Sequence, residues 1–155
     1  MELRVKRRNL ILALAALPLS QALPALAAAP AILVFKNPSC GCCGAWVQHM
    51  RAAGFNVSVK EVDDTGAVRR KLGLPDKYGS CHTATMAGYV LEGHVPAADA
   101  KRLLASKPVA IGLAVPGMPV GSPGMEVGNR VDPYEVLLVD RVGRSTVFSR
   151  YPGSR

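Results

Sequence analysis

The segment AILVFKNPSCGCCGAW, residues 31–46, constrains this chain more than any other. An apolar run the length of a buried strand leads into Asn37-Pro38, a turn signal. Three of the chain's four cysteines, Cys40, Cys42 and Cys43, then fall within four residues. From Cys42 onward the residues suit a helix. Trp46, Val47, Met50 and Ala53 share one face, Gln48, His49 and Arg51 point away, and Gly54 ends it. Strand, cysteine turn and helix N-terminus thus come in direct succession. Partial positive charge at that position favours thiolate, so it suits a nucleophilic sulfur or a soft-metal ligand.

The 155 residues are enough for one domain with its own core. FNVSVKEV, residues 55–62, alternates as a strand with Phe55, Val57 and Val59 on one side. Asp64 or Thr65 can cap a short helix running to Leu72 and stopped by Gly73 and Pro75. Residues 87–95 read as a hairpin turning at Glu92-Gly93. Pro96 fits the first turn of a helix that ends before Lys107-Pro108. A Gly/Pro-rich loop follows over residues 115–128, then YEVLLVD and STVFSRY as two strands around Gly143. This order predicts an α/β, thioredoxin-like domain with an added C-terminal β-hairpin.

Residues 1–27 are expected to be a cleaved signal peptide, leaving a metal-binding domain over 28–155. Arg4, Lys6, Arg7 and Arg8 precede an apolar run over residues 10–19, and Ala25-Leu26-Ala27 offers small residues for cleavage. Pro18, Ser20-Gln21 and Pro24 interrupt the run, which argues against a membrane anchor. The product would be exported. Arg7-Arg8 matches a twin-arginine signal only in part, so the Sec route is favoured. Removing 1–27 takes four basic residues and one acid from a chain of net charge +8, leaving +5. The remaining basic residues are scattered, with Arg69, Arg70 and Lys71 their one run, placed to complement a helix C-terminus. No basic stripe with interleaved aromatics appears, so no nucleic-acid partner is expected.

The four cysteines admit three readings. The first is two structural disulfides, invited by export and an even count. Crowding opposes it: Cys40–Cys42 closes a very small ring, Cys42–Cys43 is strained, and only Cys40–Cys43 is unforced, which leaves Cys42 to reach Cys81 across the fold. The second is a thiol–disulfide oxidoreductase using the C-x-x-C of Cys40 and Cys43. Against it, SCHTATM (residues 80–86) lies where such enzymes place a cis-proline, and supplies Cys81 and His82 instead. The third is a soft-metal site. Zinc normally takes spaced cysteine pairs, whereas C-G-C-C is crowded enough to favour sulfurs that bridge Cu(I) ions in a multinuclear cluster.

Further ligands are sorted by position. Met50 and Met86 are expected in the core, while Met118 and Met125 lie in the loop VPGMPVGSPGME, where packing alone explains them less well. His49 is about 10 Å of helical rise beyond Cys42 and is excluded. His94 is expected to be solvated beyond the hairpin turn, which leaves His82.

NPSCGCCGAW, SCHTA and VPGMPVGSPGME together resemble the CopG-like periplasmic copper-resistance proteins, the domain of unknown function 411 family, over residues 32–151. The resemblance implies an exported, thioredoxin-like protein that binds copper at Cys40, Cys42, Cys43 and Cys81, with His82, Met118 and Met125 nearby. It also implies copper ions and other periplasmic copper-handling proteins as partners. These motifs do not decide whether the chain is an enzyme.

Overall fold

A computed structural model describes residues 29–153, so the signal-peptide expectation lies outside the described residues. The elements are β1 (Ala31–Lys36), α1 (Gly41–Ala52), β2 (Asn56–Glu61), α2 (Thr65–Lys71), β3 (His82–Met86), β4 (Tyr89–Glu92), α3 (Ala97–Ser106), β5 (Gly112–Ala114), β6 (Tyr134–Val139) and β7 (Ser145–Tyr151). A short 3-10 turn, Asp76–Tyr78, precedes β3. The seven strands form one sheet in the order β2-β1-β3-β4-β5-β6-β7. Pairs β1–β2 and β4–β5 are parallel, and the other four are antiparallel. The chain is therefore mixed α/β, and its last two strands form the expected hairpin.

Alternation divides the core between the two faces of the sheet. Ile32 and Val34 of β1, Leu91 of β4 and Leu113 of β5 point to the face covered by α1 and α3. Trp46, Val47 and Met50 of α1 meet Ala97, Ala100 and Leu103 of α3 there. Their neighbours Val90 and Ala114 point the other way and pack with Leu74, Tyr78 and Val139. Met50 and Met86 are fully buried, in the core as expected. Val59, expected beside Val57, is 39% exposed on the edge strand β2.

Local chemistry sets the ends. The Asp64 side chain accepts from Ala67 N at 2.9 Å and caps α2. No side chain of its own segment caps α3 at Pro96. His49 does so from α1, its Nε2 accepting from Ala97 N at 3.0 Å. His49 thus faces α3, not solvent as the helical pattern suggests, because α3 crosses close to the last turn of α1.

Two strand expectations are corrected. The hairpin turns at Ala87-Gly88, not at Glu92-Gly93: Met86 pairs with Tyr89, and both loop residues have positive φ, 48° and 85°. Such a two-residue turn matches the twist of the strands it joins. Glu92-Gly93 resembles a turn dipeptide, yet Glu92 ends β4 with no exposure. The strand β5 was not anticipated, because it is three residues long and begins with Gly112. A Cβ at Gly112 would fall 1.8 Å from the Val90 carbonyl oxygen, so only glycine permits that pairing. Among the described residues no helix is long and apolar enough to cross a membrane.

Candidate metal centre

Two chain segments separated by some forty residues meet at the N-terminus of α1. After β1, Asn37 closes a turn: its carbonyl accepts from Cys40 N at 3.0 Å and its side chain from Ser39 N at 3.0 Å. Cys40 becomes the N-cap residue of α1 but supplies no side-chain cap, and no acid stands in the first turn. The sulfurs of Cys42 and Cys43 are therefore set by helical geometry. Cys40 and Cys43, one turn apart, are joined by a disulfide, and Cys42 and Cys81 are free thiols.

Sheet register delivers Cys81. β3 pairs antiparallel with β1, with His82 opposite Lys36, so the residue before β3 arrives where β1 runs into the cysteine turn. Cys42 Sγ lies 3.5 Å from Cys40 Sγ and 3.9 Å from Cys81 Sγ. All four sulfurs lie within 4.8 Å of one another. Cys43 is buried, whereas the other three are half-buried.

A second set, Cys81, His82 and His94, also falls within 4.8 Å. The expectation that His94 is solvated is overturned: both histidines have no exposure. With the hairpin at Ala87-Gly88, β4 runs back towards the site. Gly93, at φ 70°, donates to the His82 carbonyl at 2.9 Å and turns His94 inward. His94 Nδ1 donates to the Pro123 carbonyl at 2.8 Å, so in the neutral ring Nε2 is an acceptor. That Nε2 lies 3.1 Å from Cys81 Sγ and accepts its S–H. His82 Nδ1 stands 3.3 Å from the same sulfur, while its buried Nε2 has no hydrogen-bond partner among the described residues. The His82 ring packs 4.5 Å from Trp46 and 5.1 Å from His94.

Burial governs protonation here. It pushes the His82 pKa down to about 3, helped by His94, and lowers that of His94 as well. It raises the Cys81 thiol to about 12, helped by Cys42. These shifts favour neutral imidazoles at His82 and His94 and a neutral thiol at Cys81. A soft cation would replace the thiol protons and neutralise the thiolate charge that burial disfavours. The unpartnered His82 Nε2 and the convergence of sulfurs with imidazoles are the donor chemistry of a soft-metal site.

Two further features hold the segments in place. Glu92, unexposed, accepts from Ser80 N at 2.7 Å, Thr83 Oγ1 at 2.6 Å and Arg69 Nη1 at 2.8 Å, spanning both sides of Cys81-His82. Burial pushes its carboxyl pKa up, against the pull of those three donors. Arg69 also pairs with Asp76 at 3.2 Å, so the basic run on α2 serves the site's framework as well as a helix end. The loop after β5 is fastened alongside. Ser80 Oγ donates to the Gly117 carbonyl, and Gly117 N to Gly79 O at 3.1 Å. Gly124 lies against the Cys42 carbonyl and Trp46 N. Met118 in this loop is 53% exposed, and Met125 is half-buried with its backbone bonded to Gly121 and Ser122.

The family described as a protein of unknown function, DUF411, matches residues 78–125, which carry Cys81, His82, His94 and the loop. A solved structure of copper resistance protein copG, form 2, is 47% identical, with a TM-score of 0.77 over 80% of this chain and 99% of that one. Form 1 is 48% identical, with a TM-score of 0.76 over 79% and 98%. No curated protein matches. The fold and site define a mixed α/β protein with a sulfur-rich cluster able to hold a metal ion. The chain belongs to the CopG-like copper-resistance proteins, the DUF411 family.

Proposed function

We propose that this chain is an exported, thioredoxin-like copper-binding protein that captures Cu(I) in copper resistance. The observation that carries this reading is the gathering of Cys40, Cys42, Cys43 and Cys81 from two distant segments within 4.8 Å. Crowded thiolates select Cu(I) over harder ions and can bridge more than one of them. His82 and His94 stand beside Cys81 as imidazole donors, the second an addition to the set the sequence suggests. Met118 and Met125 belong to the proposed set as thioethers of the covering loop, Met118 on its solvent side. The strand order β2-β1-β3-β4, with α1 and α3 on one face, supports the thioredoxin-like reading. Export rests on the basic start and apolar run of residues 1–27; an envelope protein beginning near Ala28 by mass spectrometry is expected, and an intact N-terminus would refute it.

Full capture requires reduction of the Cys40–Cys43 disulfide by two electrons and two protons. Anaerobic titration of the reduced chain with Cu(I), against a calibrated chelator, tests the proposal. Expected is copper binding several orders of magnitude tighter than zinc, following ligand softness. Zinc binding of equal strength would overturn it.

A second reading is favoured by one observation: Cys40 and Cys43 form a disulfide at a helix N-terminus, as in a thiol–disulfide oxidoreductase. Strong insulin-disulfide reduction by the parent, with copper binding that survives Cys42→Ser, would decide for it.

A further inference from the structure

We propose that Cys42 and Cys81 form a second redox dithiol, which exchanges with low-molecular-weight disulfides and closes into a long-range disulfide. The inference starts from an asymmetry among the four sulfurs. Cys40 and Cys43 are already paired, and the two thiols left over sit 3.9 Å apart although 39 residues separate them. A bonded pair needs about 2.05 Å, so closing this disulfide brings the two sulfurs together from 3.9 Å. The competing partners of Cys42 are poor ones. Cys40 lies two residues away and Cys43 is its direct neighbour, so either bond makes a small, strained ring.

The surroundings suit exchange. Both thiols are half-buried, whereas Cys43 is sealed in the core, so a small disulfide meets Cys42 or Cys81 first. Cys42 stands in the first turn of α1 as the attacking sulfur. Cys81 is the resolving partner, oriented by its S–H bond to His94 Nε2. The chemistry balances. Cys42 attacks one sulfur of R′S–SR′: that S–S bond breaks, a Cys42–SR′ bond forms, and the first R′SH leaves with the Cys42 proton. Cys81 then attacks the Cys42 sulfur and displaces the second R′SH, which takes the Cys81 proton. The dithiol loses two electrons, and the small disulfide gains them.

Three sulfur states follow: four thiols, one disulfide, and two disulfides. Thiolates bind metal and disulfides do not, so the last state has no thiolate to offer. The redox state of Cys42 and Cys81 thereby gates the copper site, a consequence that rests on the proposed function.

The test uses the full metal-free chain, with and without prior reduction, incubated anaerobically with oxidised glutathione. Free thiols are counted by alkylation of the denatured protein, and linkages are mapped on non-reduced peptides. Expected are complete loss of alkylation, a Cys42–Cys81 cross-linked peptide beside the Cys40–Cys43 one, and trapped glutathione on Cys42 in Cys81→Ser. Cu(I) binding should be lost in the fully oxidised chain and return with reductant. Separate glutathione adducts on Cys42 and Cys81 would overturn the proposal. So would persistent alkylation of both, or a map joining Cys42 to Cys40 or Cys43. The linkage is read without copper: if Cys42–Cys81 forms while the reduced chain binds no copper, the proposed function falls and this inference stands.

Discussion

Gly124→Ala should separate the covering loop from the cysteine helix. Gly124 has φ 87°, a left-handed conformation, and an added Cβ would lie 2.7 Å from Trp46 N and 2.9 Å from the Cys42 carbonyl oxygen. Both are backbone atoms of α1 and cannot swing aside. The left-handed conformation alone costs an L-residue about 1–2 kcal/mol. Overlap with fixed backbone adds about 1–3 kcal/mol. The strain of roughly 2–5 kcal/mol exceeds the net worth of the hydrogen bond from His94 Nδ1 to Pro123 O, about 1 kcal/mol. The loop should therefore lift before α1 deforms, freeing His94 from its carbonyl and fixed tautomer. Gly117→Ala is the control: Gly117 has φ 71°, but nothing lies within 4 Å of its added Cβ, so only the conformational cost of about 1–2 kcal/mol applies. Urea denaturation of both variants gives the stabilities, and faster alkylation of Cys81 in Gly124→Ala reports the opened site. Equal midpoints and equal Cys81 reactivity in the two variants would refute the claim that the loop is seated on Cys42 and Trp46.

Three more outcomes follow from the same geometry. Trp46→Phe removes the indole N–H that donates to the Val95 carbonyl at 2.8 Å and leaves that oxygen unpaired, so urea denaturation should show a loss of about 1–3 kcal/mol. Glu92→Ala strips Arg69 of its buried partner and frees Ser80 N and Thr83 Oγ1; a loss of about 3 kcal/mol and faster alkylation of Cys81 are expected, and an unchanged alkylation rate would remove Glu92 from the site's framework. His49 can accept from Ala97 N only when neutral, and burial holds its pKa below the ordinary value. A base with a lowered native pKa stabilises the fold above its unfolded pKa of about 6.5 and loses that contribution as pH falls through the window down to the native value. Denaturation midpoints followed from neutral pH into that window should decline less steeply in His49→Gln than in the parent.

What the sequence made legible was local. The strand before the cysteines, the helix after them, the Asp64 cap and the terminal hairpin each depend on spacing within about ten residues, and each is found. What it hid depends on partners far along the chain. SCHTATM carries no apolar run to mark a strand, yet His82–Met86 form β3, with four of its five residues buried between neighbouring strands. Glu92-Gly93 reads as an exposed turn because a lone glutamate gives no sign that Arg69, 23 residues earlier, neutralises it at 2.8 Å. That error displaced the hairpin, and with it His94, from the site to the solvent. A cue was present in YVLEGHV: an acid and an imidazole set inside an otherwise apolar run. Burying such groups is costly unless each finds a partner. Glu92 finds Arg69, Ser80 and Thr83, and His94 finds Pro123 and Cys81. His82 Nε2 alone lacks one among the described residues, on a ring whose Nδ1 lies 3.3 Å from Cys81 Sγ. A fold that satisfies its other buried side-chain polar atoms and leaves that nitrogen bare, on an imidazole whose other nitrogen faces Cys81, holds a donor for a ligand, and soft-metal binding is the use its neighbours suggest.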